Sequence, residues 1–132
     1  MHTLIIMPDE MAVARLEPTS PVPHWALAAP FFSITRTPDE LSVLCPSAFL
    51  PDGVMAERGW RCLQVAGPLD FELVGVLASL LEPLRLAEVS VFVLSTFDTD
   101  YILVKSDQLP QAIAALRQAG CQIIDSHHAR TT

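Results

Sequence analysis

The sequence predicts an α+β fold, and three features carry that prediction. Between Cys62 and Asp125 the apolar spacing alternates between helical and extended periods in the order strand, helix, strand, strand, helix, strand. The first half sets short apolar runs between prolines and turn residues, so it is rich in strand and poor in helix. A turn-centred stretch of the first half can also be laid over a matching stretch of the second.

Along the chain, Thr3–Met7 and Met11–Leu16 are expected to pair as a hairpin around Pro8-Asp9-Glu10. Pro18, Pro21, Pro23 and Pro30 remove backbone donors and leave room for no more than a short helix near His24–Ala28. Phe31–Arg36 and Leu41–Cys45 read as strands flanking the turn Thr37-Pro38-Asp39-Glu40, and a residual helix is expected within Ser47–Arg58.

Cys62–Ala66 is a short strand closed by Gly67-Pro68. Asp70 can then cap a helix, with Glu72 in the first turn complementing the exposed amides. Leu73, Leu77, Leu80, Leu81 and Leu84 recur at helical spacing and define a buried face, and Pro83 is expected to kink or stop the helix. Val89–Phe97 is a strand around the run Val91-Phe92-Val93-Leu94, with Asp98-Thr99 as a tight turn and Tyr101–Val104 returning. Asp107 can cap a second helix that tolerates Pro110 in its first turn and buries Leu109, Ile113 and Leu116. Gly120 stops that helix, and Cys121–Ile124 is the last strand.

This order is the ferredoxin-like βαββαβ motif, a four-stranded antiparallel sheet with two helices on one face. Both sides of the Val89–Phe97 strand are apolar, so the face without helices needs a cover, from the first half of the chain or from a second subunit. Thr35 to Leu44 lies over Ser95 to Val104, each a hairpin with an acidic residue opening the return strand. The expected organisation is therefore two tandem units. A first one spans residues 1–60 and is reduced in helix, and a full one spans 61–132.

A chain of 132 residues with 51% hydrophobic residues has ample material for a core. Its net charge of -7 and scattered arginines argue against nucleic acid as a partner. Cys45, Cys62 and Cys121 are odd in number, lack CxxC spacing and sit in apolar runs, which points to a reducing compartment. The N-terminal apolar run is too short for a signal peptide and has no basic region before it. No segment reaches the roughly 20 apolar residues that span a bilayer. A cytoplasmic protein without a membrane partner is the expectation.

No catalytic constellation assembles. There is no GxSxG elbow, phosphate-binding loop or dinucleotide fingerprint. Asp98 and Asp100 are close enough to suggest a carboxylate pair or cation site, but turn chemistry accounts for them without further ligands. His127-His128 with Asp125 reads as a terminal tail, and His24 as a surface residue. Neither a catalytic residue, a metal site nor a cofactor is expected.

The stretch Ser90-Val91-Phe92-Val93-Leu94-Ser95-Thr96-Phe97-Asp98-Thr99-Asp100-Tyr101-Ile102-Leu103-Val104-Lys105 resembles the signature of ACT-domain proteins. The resemblance is to the regulatory domains of aspartate kinases, the small bacterial tandem-ACT proteins and the cytosolic arginine sensors of animals. Gly75-Val76-Leu77-Ala78-Ser79-Leu80, Glu82-Pro83-Leu84 and the stretch Phe31 to Val43 support it. The resemblance implies a non-catalytic regulatory protein that binds an amino acid where two ACT units meet. The residues it assigns to the ligand are Asp70, Gly75, Val76, Ser79 and Leu80 from the helix and the approach to it, and Thr96, Phe97 and Asp100 from the hairpin. A helix start offers free amides to an α-carboxylate, and Asp100 can accept from an ammonium or guanidinium group. One arginine-sensor unit has an acid at the position of Leu73, a departure that speaks against arginine itself. A homodimer is the implied assembly. A dimerisation or scaffolding module that has lost its ligand is the alternative, and a small metal enzyme built on Asp98 and Asp100 ranks last.

Overall fold

The computed structural model describes residues 2–67 and 75–126. Its strands are β1 (Thr3–Leu16), β2 (Ser33–Arg36), β3 (Leu41–Pro46), β4 (Ala56–Val65), β5 (Val91–Ser95), β6 (Asp100–Lys105) and β7 (Gln122–Asp125). Its helices are α1 (His24–Leu27), α2 (Val76–Leu86) and α3 (Leu109–Gln118). Two compact units result, one of Asp9–Trp60 and one of Met1–Pro8 with Arg61–Thr132. The expected first unit of residues 1–60 thus loses its first eight residues to the second. β1 and β4 each begin in one unit and end in the other.

In the unit of Asp9–Trp60 the strand order is β2-β3-β1-β4. β1 pairs antiparallel with β3 from Met11↔Pro46 to Leu16↔Leu41, and β2 pairs with β3 from Ser33↔Leu44 to Arg36↔Leu41. The helical content of this unit is the single turn α1 and the 3-10 turn Ser47–Phe49. The residual helix expected within Ser47–Arg58 is thus only that turn, because Ala56 already opens β4. The core consists of Ala12, Ala14, Ala26, Leu41, Val43, Cys45 and Leu50. Small residues here let a one-turn helix sit close to the sheet. The Arg36 guanidinium donates to the carbonyls of Pro18 and Ser20, fastening the proline-rich segment that lacks ladder bonds of its own.

The second unit has the predicted strand–helix–strand–strand–helix–strand succession, with one departure. Its sheet has five strands in the order β5-β6-β4-β1-β7, and β7 runs parallel to β1 from Thr3↔Gln122 to Ile6↔Asp125. Thr3–Met7 and Met11–Leu16 therefore do not pair with each other. They form one continuous strand whose halves take different partners, and Pro8-Asp9-Glu10 lacks the glycine or asparagine that a tight reversal favours. The core lies between sheet and helices: Leu4, Leu63, Val65, Ile102, Val104 and Ile123 from strands, Leu80 and Leu84 from α2, Ala112 and Leu116 from α3, with Val89. By strand alternation Cys62 and Leu103 point to the opposite face, and both are buried as well.

α2 continues through Pro83 to Leu86 rather than stopping there. A proline so near the C-terminus removes one helical bond, and the buried Leu84 holds the last turn to the core. Both long helices end alike. The amide of Val89 donates to the Leu84 carbonyl (2.9 Å) and that of Glu88 to Arg85 (3.0 Å), as Cys121 does to Leu116 (2.9 Å) and Gly120 to Arg117 (3.0 Å). This is the Schellman arrangement, which needs a left-handed residue after the helix. Gly120 supplies it at φ 101° after α3, but Glu88 does so at φ 61° after α2. Glu88→Gly should therefore raise stability in urea unfolding by roughly 0.5–1 kcal/mol, the relief of a left-handed non-glycine residue less the added entropy of the unfolded chain.

The two hairpins share a turn. Thr37 donates its amide to the Glu40 carbonyl (2.8 Å), and its hydroxyl receives the amides of Asp39 (3.2 Å) and Glu40 (3.1 Å). Thr96 donates its amide to Thr99 (2.8 Å), and its hydroxyl receives the Thr99 amide (3.4 Å). With Arg36↔Leu41 and Ser95↔Asp100 as the closing pairs, Thr37 is equivalent to Thr96 and Asp39 to Asp98. The overlay read from sequence is one residue out, since the threonine that organises the turn sets the match.

Candidate functional site

The residues assigned by resemblance fall on two structures of the second unit. Asp70 lies outside the described residues, as do Glu72 and Leu73. Gly75 precedes α2 in the left-handed conformation, φ 80°, and a Cβ built on it would meet nothing within 4 Å. Among the described residues the backbone at the helix start is thus open to approach. Val76 is half-buried and packs on the core. Ser79 is exposed, yet its amide donates to the Gly75 carbonyl (2.9 Å) and its hydroxyl to the Val76 carbonyl (2.7 Å). Leu80 is 1% exposed and belongs to the core, so its side chain presents nothing to a ligand on this surface. Ser79 instead borders a groove of about 570 Å³ between α2 and α3, with Pro83, Leu86, Ala115 and Ala119.

The β5–β6 hairpin holds the other group. Phe97 stands at its tip, 80% exposed. Asp100 opens β6 opposite Ser95, whose hydroxyl donates to its Oδ1 at 2.6 Å. Thr96 donates its hydroxyl to the Thr99 carbonyl (3.1 Å), and buried Thr99 donates its own to the Val65 carbonyl (2.7 Å), tying the turn to the end of β4. Beside this turn lies a polar depression of about 250 Å³ lined by Gln64, Gly67, Thr96, Asp98, Thr99 and Tyr101. Of these, Thr96 was assigned by the resemblance, and Asp98 was weighed only as half of a carboxylate pair with Asp100. Gln64 interrupts an apolar strand and Tyr101 is the chain's one tyrosine, which are the signals that mark them in retrospect. The helix-start and hairpin residues share neither cavity.

Burial pushes the Cys62 thiol up to about 12, so at neutral pH it is a protonated core residue and not a nucleophile. Tyr101 is also raised, first by burial and then by nearby Cys62 and Asp98. The exposed Glu82 carboxyl is lowered by its hydrogen bond from Arg85. Among the described residues no group of three His, Cys, Asp or Glu side chains could hold a metal ion, and no helix is long and apolar enough to cross a membrane.

A family model described as the ACT domain matches residues 55–118, and a second, describing an N-terminal domain, matches residues 9–53. The bovine (Bos taurus) protein named cytosolic arginine sensor for mTORC1 subunit 1 is 35% identical over 100 residues, covering 65% of this chain and 30% of that protein. The chain spans about a third of the length of the curated relatives it matches. Among solved structures, protein Atu0741 of Agobacterium tumefaciens is similar at a TM-score of 0.88 and 36% identity, over 94% of this chain and 92% of that one. The ligand-free regulatory subunit of aspartate kinase from Thermus thermophilus shares the fold at a TM-score of 0.61 and 12% identity, over 85% and 93% of the two chains. With a relative more than a third identical along nearly its whole length, and the ACT model lying on the β4-to-α3 succession, the chain belongs to the ACT-domain family.

Proposed function

We propose that the chain is a non-catalytic regulatory protein of the cytoplasm that binds an amino acid where two ACT units meet across a homodimer. On this reading residues 1–60 and 61–132 are tandem ACT-like units, the first reduced in helix. Gly75, Val76 and Ser79 at the start of α2 receive the ligand's carboxylate, and Thr96, Phe97 and Asp100 receive its amino end, with Asp70 and Leu80 as further assigned positions. The observation that carries the reading is Gly75, left-handed at a helix start and unobstructed among the described residues, in a chain whose curated relatives are named as arginine sensors. The shared threonine turn of the two hairpins supports the tandem organisation. A ligand can shift a regulatory equilibrium only through different affinities for the two states, so binding itself is the first thing to measure. Titration calorimetry of the folded protein against the twenty amino acids should find at least one that binds, and silence from all of them would remove the proposal.

A second reading, a dimerisation module without a ligand, is favoured by two facts: Ser95 already occupies one oxygen of Asp100, and Leu80 is sealed in the core. Asp100→Ala separates the two. Under the first reading the melting-temperature rise given by the bound amino acid disappears; under the second there is no rise to lose and self-association is unchanged.

A further inference from the structure

Two hairpins with the same threonine turn would give one chain two equivalent ligand sites, yet the side chains around the turns differ. With the closing pairs Arg36↔Leu41 and Ser95↔Asp100 laid over each other, Arg36 answers to Ser95, Pro38 to Phe97 and Leu41 to Asp100. Asp100 holds a half-buried carboxylate, one oxygen of which receives the Ser95 hydroxyl. Leu41 is 0% exposed and belongs to the core of its unit, so its side chain offers a ligand neither charge nor hydrogen bond. Phe97 stands out at the tip of its hairpin, where the first hairpin has the aliphatic ring of Pro38.

The helix starts differ as well. Gly75, ahead of α2, is left-handed and open to approach. The residue in that place ahead of α1 is Pro23, extended at φ -73°, buried, and without an N–H to give. α1 has only four residues, too few to build up the aligned dipole that favours a carboxylate. The first hairpin is also committed to its own unit. The Arg36 guanidinium donates to the carbonyls of Pro18 and Ser20, between β1 and α1, and Arg15 donates to the Asp39 carbonyl in the turn (2.9 Å).

We propose that the two units are specialised: the second receives the amino acid, the first is a closed copy with its hairpin fastened by Arg36, and each chain binds one ligand rather than two. The proposal rests on the ligand-binding reading above and goes beyond it, since tandem units with a shared turn would by themselves supply two sites. No single substitution reopens the closed copy, because an acid at position 41 would bury an unpaired charge in the core.

The full chain, labelled for NMR, is titrated with each of the twenty amino acids, and calorimetry counts the sites for any that binds. Binding should saturate at one molecule per chain. The amides of Gly75, Thr96 and Thr99 should shift, and those of Thr37, Asp39 and Glu40 should stay where they are. Asp100→Ala should remove all binding, whereas Asp39→Asn, in the first turn, should leave count and affinity unchanged. If Asp100→Ala does not fold, the count and the shift map of the unaltered chain decide by themselves. Saturation at two molecules per chain, half of the binding surviving in Asp100→Ala, or saturable shifts at Thr37, Asp39 and Glu40 overturns the proposal. A second site would leave the ligand reading standing and sink only the closed copy. Silence from all twenty amino acids would remove the ligand reading and this inference together.

Discussion

Replacing Leu80 with alanine is expected to cost about 3 kcal/mol of stability, within the 2–5 kcal/mol span of buried leucine truncations. Leu80 is 1% exposed and lies in the cluster formed by Leu4, Leu63, Leu84, Ala112 and Leu116. Its neighbours come from strands and from both long helices, so no single element can move in to fill the space. The unfilled volume adds to the lost transfer energy and puts the cost above the floor set by area alone. Urea unfolding reads the change directly, and the melting temperature should fall by roughly 10 °C. Ser79→Ala, one residue earlier on the exposed side, should stay within about 0.5 kcal/mol. A near-neutral Leu80→Ala would mean that α2 is not seated on the sheet as described. A marked loss of stability makes any accompanying loss of ligand binding a consequence of the core rather than of contact, so Leu80 is a poor probe of the ligand site.

The helical periodicity of Leu77, Leu80, Leu81 and Leu84 had already placed Leu80 on the buried face of its helix, and the structure agrees with that pattern. The second unit was legible in general because its periods are strong: five-residue apolar strands, two amphipathic helices and a glycine stop at Gly120. Where pairing partners are far apart in sequence the reading failed. Nothing local tells Thr3–Met7 to add itself beside β7, 119 positions from Thr3 to its partner Gln122, instead of folding back on Met11–Leu16. The hairpin repeat was visible, but its register was set by Thr37 and Thr96 accepting backbone amides, a side-chain effect that a comparison of residue types does not weigh. The cavity beside the second hairpin was hidden for the same reason as β1. Gln64 and Tyr101 meet only once β4 lies next to β6, and what its two threonines offer depends on where two hydroxyl protons go.

Those protons make Thr99 the position where fold and site are tested together. Thr99→Val keeps the shape and replaces the hydroxyl with a methyl group, so it isolates the 2.7 Å bond to the Val65 carbonyl. Thr99 is 5% exposed and Val65 has no exposure, so water has little access to the acceptor left behind. The expected loss is roughly 1–3 kcal/mol in urea unfolding, because an unsatisfied buried carbonyl costs its desolvation in addition to the bond. Thr99→Ser should recover most of it. The local effect should be larger than the global one. The turn Thr96–Thr99 is fastened to the end of β4 by this bond, so its release should speed hydrogen exchange at the Thr96 amide, which donates to the Thr99 carbonyl. If Thr99→Val leaves stability and exchange unchanged, the hydroxyl is not tethering the turn to the end of β4.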